Sequence, residues 1–332
     1  MSILIGIDIG GTKCAVSLGE TESETLRSLA KKIFATPDRD PNAAIQKIIS
    51  LIWELARENK LDAGEISAIG IACGGPLDSD RGVILSPPNL PGWDNIGIVS
   101  EIVKIFKTPC GLQNDANACA LAEWKFGAGR GLRDMVFMTF GTGLGAGLIL
   151  NGELYSGANG NAGEIGHIRL AEYGPVGYGK RGSFEGFCSG AGIAKIAREK
   201  IAEKLQIGER PAVCADLAKL DSVTAKSLAQ AAEAGDKLAI EAYEESGRML
   251  GLGLSAIVDI INPQAIIIGG VFSRSRELLW PRAEEVLRRE ALGVSLKACK
   301  ILPAGLGENV GDYASLSVAQ YELEKAQAGT RR

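Results

Sequence analysis

Two strand–glycine loop–strand patterns, one at the start of the chain and one near its middle, constrain the fold more than any other feature. The first runs from Ile3 to Leu18 around Gly10-Gly11-Thr12-Lys13, and the second from Met135 to Leu150 around Gly141-Thr142-Gly143. Each pattern predicts a β-hairpin. Because the pattern recurs in successive halves, it indicates two related lobes whose glycine loops face each other across a cleft that would accept the phosphates of a nucleotide.

The first hairpin has a functional interpretation and a plain one. Gly10 and Gly11 leave room for a phosphate beside the backbone, Thr12 offers a hydroxyl and Lys13 a positive charge. The carboxylate of Asp8 could hold a hydrated Mg²⁺ through water. A Gly-Gly pair is also an ordinary hairpin turn, so this motif alone leaves both interpretations open.

The second glycine loop contains a G-x-G spacing, which superficially suggests a dinucleotide-binding fingerprint. It leads into the strand at Leu148-Ile149-Leu150, whereas that fingerprint opens a helix. The spacing therefore argues against a dinucleotide site.

Gln113-Asn114-Asp115 joins an apolar strand to a segment of strong helix propensity, which places Asp115 at or just before the start of a helix. In one interpretation Asn114 or Asp115 is only the N-cap of that helix. In the other, the Asp115 carboxylate points into a cleft and accepts a proton from a substrate. The stretch alone favours the cap, and the glycine loops on either side strengthen the catalytic alternative.

The densest polar cluster of the sequence is formed by Gly160–His167 and Gly182–Glu185, and His167 is the only histidine. A lone histidine is more often a structural residue than a ligand. Here Glu164 and Glu185 share its neighbourhood, and carboxylates with a neutral imidazole are suited to binding adjacent hydroxyls of a sugar. The cluster therefore predicts a polar ligand.

Composition limits the possible classes of protein. The chain of 332 residues is too long for one compact core and suits two lobes. Its net charge of −4 gives no sign of a nucleic-acid or acidic membrane surface. Seven scattered cysteines without a Cys-x-x-Cys pair indicate reduced thiols. No basic leader precedes the first strand, and Asp259 interrupts the best transmembrane candidate, so we expect a cytoplasmic protein with no membrane partner.

The remaining pattern alternates strands and helices, which predicts parallel sheet covered by helices on both faces. Helices are expected at 42–59, 98–107, 191–205, 225–234, 237–261 and 276–291, with a terminal helix starting around Glu308, and strands at 66–72, 265–268 and 296–302. The proline-rich loop 86–94 is expected to present Asn89 and Asp94 to a ligand.

Taken together, these motifs resemble the ROK family of repressors, uncharacterised reading frames and kinases. The resemblance is carried in order by Asp8-Ile9-Gly10-Gly11-Thr12-Lys13, Asn114-Asp115-Ala116-Asn117, Gly141-Thr142-Gly143-Leu144-Gly145, Gly163-Glu164-Ile165-Gly166-His167 and Gly269-Gly270. It implies an α/β, two-lobed actin-like ATPase fold of the hexokinase type, related to ribonuclease H. The implied N-terminal lobe is 1–115, with the C-terminal helix 308–326 packing back on it, and the implied C-terminal lobe is 116–307.

The resemblance also implies an ATP-dependent sugar kinase that uses Mg²⁺. Asp115 would be the general base and Asp8 would hold Mg²⁺ through water. The implied sugar ligands are Asn89, Asn114, Glu164, His167 and Glu185, and the implied ATP-binding residues are Gly10, Gly11, Thr12, Lys13, Gly141, Thr142 and Gly143 for the phosphates and Gly269 and Gly270 for the adenosine.

The acceptor within this family is left open by the sequence. The 6-hydroxyl of glucose is favoured; kinases of N-acetylglucosamine or N-acetylmannosamine and fructokinases are the alternatives. The family's transcriptional regulators carry a helix-turn-helix domain ahead of the first hairpin, which here starts within the first few residues, so a regulator is disfavoured. We expect a homodimer whose ligands are a sugar and ATP, without nucleic acid.

One segment departs from the family. Its zinc-binding pattern Cys-x-Cys-Gly-x-x-Gly-Cys-x-Glu corresponds to residues 176–185, where all three cysteines are replaced. His167, even with Cys188 nearby, does not complete a four-ligand structural zinc site. We therefore expect no structural zinc, and a loop held by packing and hydrogen bonds. A second departure, Asp312-Tyr313, stands where the family has small residues and receives no role from the sequence.

Overall fold

The computed structural model describes residues 1–22 and 25–330, which form a mixed set of strands and helices. The strands are β1 (Ser2–Ile9), β2 (Lys13–Glu22), β3 (Thr25–Ala35), β4 (Ile66–Cys73), β5 (Leu77–Asp78), β6 (Val83–Ile84), β7 (Cys110–Gln113), β8 (Met135–Phe140), β9 (Leu144–Leu150), β10 (Glu153–Tyr155), β11 (Val176–Gly177), β12 (Lys180–Arg181), β13 (Ala265–Ile268) and β14 (Lys300–Pro303). The helices are α1 (Pro41–Glu58), α2 (Ile98–Phe106), α3 (Asp115–Phe126), α4 (Phe184–Phe187), α5 (Gly190–Gln206), α6 (Ala225–Glu233), α7 (Lys237–Ile261), α8 (Val271–Arg274), α9 (Arg276–Glu290), α10 (Gly293–Ala298) and α11 (Val310–Thr330).

The chain divides into two compact units. The first comprises Met1–Arg133, Gly147–Ala162 and Glu308–Arg332, and the second comprises Asp134–Ala146 and Gly163–Gly307. The lobes expected from the sequence placed the boundary after Asp115, whereas the first unit also includes α3 and the end of β9. Helix α3 packs against α11. A Cβ atom on Gly147 would lie 2.6 Å from the carbonyl oxygen of Ala116 in α3, so β9 presses closely on the same helix.

A five-stranded sheet with the order β3-β2-β1-β4-β7 forms the centre of the first unit. Strand β1 runs antiparallel to β2 and parallel to β4, while β7 runs parallel to β4. Side chains alternate between the faces of β1. Ile5 and Ile7 contribute to the larger hydrophobic core, which also includes buried residues of α1 and α2, whereas Leu4 packs on the other face with Leu316 of α11. Helices therefore cover both faces, as the alternation predicted.

A row of glycines crosses this sheet where α11 packs. Gly6 of β1, Gly70 of β4 and Gly111 of β7 lie in register side by side. A Cβ atom on Gly70 would lie 2.2 Å from both the Ser315 carbonyl oxygen and the Ala319 amide nitrogen of α11. Real Cβ atoms do not approach backbone so closely, so the helix can occupy this position only because side chains are missing from the row.

The structure gives Asp312 and Tyr313 a role at the start of α11. Asp312 forms an ion pair with Lys31 of β3. The Tyr313 hydroxyl donates to the Leu26 carbonyl at 3.4 Å, and its ring centroid lies 6.2 Å from that of Phe126. These contacts fasten the first turns of α11 to the edge strand β3 and to α3.

The second sheet has the order β10-β9-β8-β13-β14, and β13 pairs in parallel with both β8 and β14. The strand expected at 296–302 is wrong in its first half, because α10 continues to Ala298 and β14 begins only at Lys300. The six expected internal helices and the other two expected strands are confirmed within one residue at each end.

Candidate active site

The carboxyl ends of three parallel strands meet at one edge of the first sheet. Asp8 of β1, Ala72 of β4 and Gln113 of β7 lie in one row across the strands. The loops that follow these residues contain the first glycine pair, Gly74 and Asn114-Asp115, and they emerge at this edge. In open α/β sheets, ligands bind outside the carboxyl ends of the strands.

Asn114, and not Asp115, caps helix α3. The Asn114 Oδ1 accepts a hydrogen bond from the Asn117 backbone nitrogen at 2.8 Å. Asp115 is the first residue of the helix, and its carboxylate accepts no hydrogen bond from the described residues. The capping alternative for Asp115 is therefore removed, and its oxygens remain available to a ligand.

Two carboxylates at this edge have raised pKa values. Burial, and secondarily the negative charge of Asp8, raise the pKa of Asp115 to about 6, although the Asp115 side chain still reaches solvent. Burial also raises the pKa of Asp8, against the opposing effect of the Lys31 and Lys13 charges. A carboxyl group whose pKa lies near neutrality is suited to accept a proton from a hydroxyl.

The first glycine loop is closed by hydrogen bonds to the end of β3. The Gly10 nitrogen donates to the Lys13 carbonyl at 3.1 Å, and the Thr36 hydroxyl donates to the Gly10 carbonyl at 2.6 Å. The Thr36 nitrogen in turn donates to the Thr12 carbonyl at 3.1 Å. Sequence reasoning missed Thr36 because β3, an edge strand with mostly exposed side chains, has no clear apolar period.

The proline-rich loop touches this glycine loop through Asn89. A Cβ atom on Gly11 would lie 2.3 Å from the Asn89 carbonyl oxygen, so only glycine permits the approach. Both residues line a pocket of about 470 Å³ together with Thr12 and Thr36. The amides of Gly11 and Thr12 have no partner in the described part of the chain, so they are free to donate to a phosphate in this pocket.

The second glycine loop is tied to a predicted sugar ligand in the second unit. The Gly141 nitrogen donates to the Gly143 carbonyl at 3.0 Å, which turns the loop tightly. The Leu144 nitrogen donates to Glu185 Oε2 at 3.0 Å, and a Cβ atom on Gly143 would lie 2.7 Å from the same oxygen. The structure therefore brings Glu185 together with the loop that contains Thr142.

Two glycines hold the Glu164–His167 segment against β9. Gly163 has a φ of 93°, and a Cβ atom on it would lie 2.0 Å from the Ala146 carbonyl oxygen. A Cβ atom on Gly166 would lie 2.1 Å from the Leu144 carbonyl oxygen and 3.3 Å from the Glu185 Cβ. This close packing places Glu164, His167 and Glu185 in one neighbourhood, and the side chains of Glu164 and His167 are exposed.

The predicted adenosine loop follows β13, next to the second glycine loop. Gly270 has a φ of 67°, and a Cβ atom on it would lie 2.2 Å from the Phe140 carbonyl oxygen, directly before Gly141. Gly269 donates from its nitrogen to the Met138 carbonyl at 2.9 Å. The carboxyl ends of β8 and β13 thus bring the two glycine segments of this unit together.

Asp8 is the candidate ligand for a metal ion at this strand edge. Asp8 offers a partly buried carboxylate whose charge acts on Asp115, and a hydrated Mg²⁺ would relieve the cost of holding both negative charges there. No group of three or more His, Cys, Asp or Glu side chains able to hold a metal occurs among the residues the structure describes. Within the described ranges, no helix is both long and apolar enough to cross a membrane.

Comparisons with known proteins agree over most of the chain. The ROK family matches residues 4–320. Glucokinase from Thermotoga maritima is 32% identical over 321 residues, which cover 96% of this chain and 98% of that protein. The DNA-binding transcriptional dual regulator NagC from Escherichia coli is 30% identical over 289 residues, which cover 87% of this chain and 68% of the regulator. A ROK family glucokinase from Streptomyces griseus, solved in complex with glucose and AMPPNP, has a TM-score of 0.72 and is 29% identical, covering 96% of this chain and 99% of that one.

Proposed function

The chain belongs to the ROK family, and from this premise we propose that it transfers the γ-phosphoryl group of ATP to the 6-hydroxyl of glucose. It is an ATP-dependent hexose kinase with the two-lobed actin-like ATPase fold, because ROK glucokinases resemble it over nearly its full length in sequence and structure. The fold expected from the sequence is thereby confirmed. The acceptor sugar, the hydroxyl that reacts and the roles of individual residues form the proposal.

In the proposed mechanism the general base is the carboxylate of Asp115, which accepts no hydrogen bond from the described residues. In the proposed reaction it takes the proton of the sugar hydroxyl while the hydroxyl oxygen forms its bond to the γ-phosphorus. The bond from that phosphorus to the β,γ-bridging oxygen breaks, and ADP leaves with the bonding electrons. Support comes from the position of Asp115 beside Asp8, the absence of a competing hydrogen bond within the described residues, and a pKa of about 6.

The glycine loops supply binding and charge stabilisation in this proposal. The amides of Gly11 and Thr12 would donate to phosphate oxygens, with Lys13 adding positive charge. Asp8 would hold a hydrated Mg²⁺ which, when bound, neutralises charge on the phosphoryl group in transfer. Phosphoryl transfer depends mainly on positioning and electrostatic stabilisation, so these groups carry much of the rate.

The sugar ligands in the proposal are two amides, two carboxylates and an imidazole. Asn114 keeps its Nδ2 as a donor after its Oδ1 has capped α3, and Asn89 presents an exposed amide beside Gly11. Glu164, His167 and Glu185 offer acceptors and a ring nitrogen for further hydroxyls. Glucose is favoured over an N-acetylhexosamine because the glucokinase from Thermotoga maritima matches nearly the whole chain.

A transcriptional regulator that binds a sugar is the second candidate, since NagC matches most of this chain. Both kinds of protein would bind a sugar, but only a kinase releases ADP when the sugar is added to ATP and Mg²⁺. We expect ADP release to depend on glucose. Sugar binding without any ADP release would favour the regulator.

The raised pKa of Asp115 predicts the pH dependence of the reaction. The base works only when deprotonated, so kcat should fall on the acidic side with a midpoint near pH 6. Well below that midpoint it should fall by about tenfold for each pH unit. The measurement is kcat between mildly acidic and neutral pH, with thermal unfolding recorded in the same buffers. A fall in kcat whose midpoint lies at the ordinary pKa of a carboxyl group would contradict the predicted desolvation of Asp115.

A further inference from the structure

The hairpin formed by β11 and β12 contacts the only histidine of the chain from two directions. The Lys180 Nζ donates to the His167 backbone carbonyl at 2.7 Å. The Tyr178 ring lies edge-on to the imidazole, with 6.4 Å between ring centroids and 78° between ring planes. The hairpin therefore holds both the backbone and the ring of His167.

The other side of the hairpin is itself anchored. The Lys195 Nζ of α5 donates to the Val176 carbonyl at 2.6 Å. The Ser183 hydroxyl donates to the Gly177 carbonyl at 3.3 Å and accepts from the Gly186 nitrogen at 3.1 Å, which caps α4. Hydrogen bonds thus connect the β11–β12 hairpin to helices α4 and α5, and these bonds limit the movement of the residues that contact His167.

The tip of the hairpin is a two-residue turn formed by Tyr178 and Gly179. Tyr178 has a φ of 42°, in the left-handed region that disfavours residues other than glycine. Its side chain is 75% exposed, so burial does not explain why a large aromatic residue occupies the position. Tyr178 and Gly179, with φ of 42° and 74°, form the primed two-residue turn of this hairpin, and the turn places the exposed Tyr178 ring beside the imidazole.

We propose that Lys180 and Tyr178 are positioning residues that hold His167 in its sugar-binding orientation without a metal ion. Val176, Tyr178 and Ser183 occupy the positions that carry cysteines in the family's zinc segment, and none of the three supplies a zinc ligand. In this chain, the hydrogen bond from Lys180 to the His167 carbonyl and the contact of the Tyr178 ring with the imidazole hold His167 in place of a metal ion. The consequence for sugar binding rests on the proposed kinase function, whereas the positioning of the imidazole does not.

The kinetic test compares two cationic residues of the same strand. Lys180→Met should raise the KM for glucose by about 5–10-fold, the loss expected for one solvent-exposed hydrogen bond of ordinary strength. It should change kcat and the KM for ATP little, because neither the base nor the phosphate loops are touched. Lys180→Arg should recover most of the loss. Arg181→Met is the matched control, since Arg181 is exposed and its side chain makes no ion pair or hydrogen bond within the described residues.

A second readout is independent of kinase activity. Because His167 is the only histidine, the protein labelled at histidine gives one set of imidazole NMR signals. Tyr178→Ala should shift these signals by removing the neighbouring ring, and Tyr178→Phe should keep them near the wild-type values. Lys180→Met should broaden or shift them, and Arg181→Met should not.

The outcomes separate the positioning proposal from the proposed function. Imidazole signals that stay unchanged in both Tyr178→Ala and Lys180→Met would overturn the positioning proposal. So would stoichiometric zinc in the purified protein, or imidazole signals that shift when one equivalent of zinc is added. Signals that change as expected in a protein that phosphorylates no sugar would leave the positioning intact and reject only the kinase function. Because Tyr178 is exposed, its variants test the proposal even if Lys180→Met fails to fold.

Discussion

Replacing Asp115 with asparagine should lower kcat by about 10²–10⁴-fold, the range expected on removing a general base. The amide has nearly the same shape as the carboxylate but cannot accept the hydroxyl proton. The KM values for sugar and ATP should change less than kcat, because the proton moves only as the new bond forms. The measurement is steady-state ADP release with saturating ATP, Mg²⁺ and glucose.

The same substitution should leave the protein folded. Asn114 caps α3, so the cap does not depend on residue 115. Because the folded-state pKa of Asp115 lies above the ordinary carboxyl value, its charge costs stability at neutral pH, and the variant should unfold at an equal or higher temperature. Asp62→Asn, at an exposed carboxylate in the segment that precedes β4 and so at the opposite end of that strand, is the matched control and should keep wild-type turnover. Wild-type kcat in a folded Asp115→Asn protein would reject the general-base role.

Gly70→Ala should lower the free energy of unfolding. Overpacking a closely packed core costs about 1–3 kcal/mol, and we expect the loss to lie towards the upper end of that range. The added Cβ would lie 2.2 Å from two backbone atoms of α11, and backbone cannot move aside as a side-chain tip can. The helix must shift away from the sheet, which opens the packing around Leu316 and Ala319. Thermal or urea unfolding measures the change.

The control for this prediction is an alanine at a glycine of α11 itself. Gly311 lies in open space, and alanine favours helix more than glycine does, so Gly311→Ala should be neutral or slightly stabilising. A Gly70→Ala protein with wild-type stability would show that α11 does not lie in the glycine row formed by Gly6, Gly70 and Gly111.

The sequence predicted those parts of the fold whose signals are local. The buried strands at 66–72 and 265–268 and amphipathic helices such as α1 follow from the periodicity of a short window, and they were found within one residue. The strands of the two glycine hairpins are longer than predicted, since β2 extends to Glu22 and β9 begins at Leu144. Strand β3 and helix α10 depend on neighbours distant in sequence. The edge strand β3 shows few buried side chains, and residues 296–298 of the expected strand are the end of α10.

Long-range packing also decided the features that the sequence left open. Whether Asn114 or Asp115 caps α3 depends on backbone angles, and both residue types serve equally well as caps. Asp312 and Tyr313 acquire a role only through Lys31, Leu26 and Phe126, to which the fold brings α11. The ligand roles of the candidate residues stay predictions, since their chemistry is visible in the sequence while the bound sugar is not.

The central claim is that this protein phosphorylates the 6-hydroxyl of glucose with ATP. The most direct measurement is ADP release with Mg²⁺ in the presence of glucose, 6-deoxyglucose, N-acetylglucosamine, N-acetylmannosamine or fructose, with the product of each reaction identified by phosphorus NMR. We predict the highest kcat/KM for glucose, glucose 6-phosphate as its product, and no sugar-dependent ADP release with 6-deoxyglucose, which lacks the acceptor oxygen. A higher kcat/KM for another sugar, sugar-dependent ADP release with 6-deoxyglucose, or no phosphorylated sugar at all would contradict the claim.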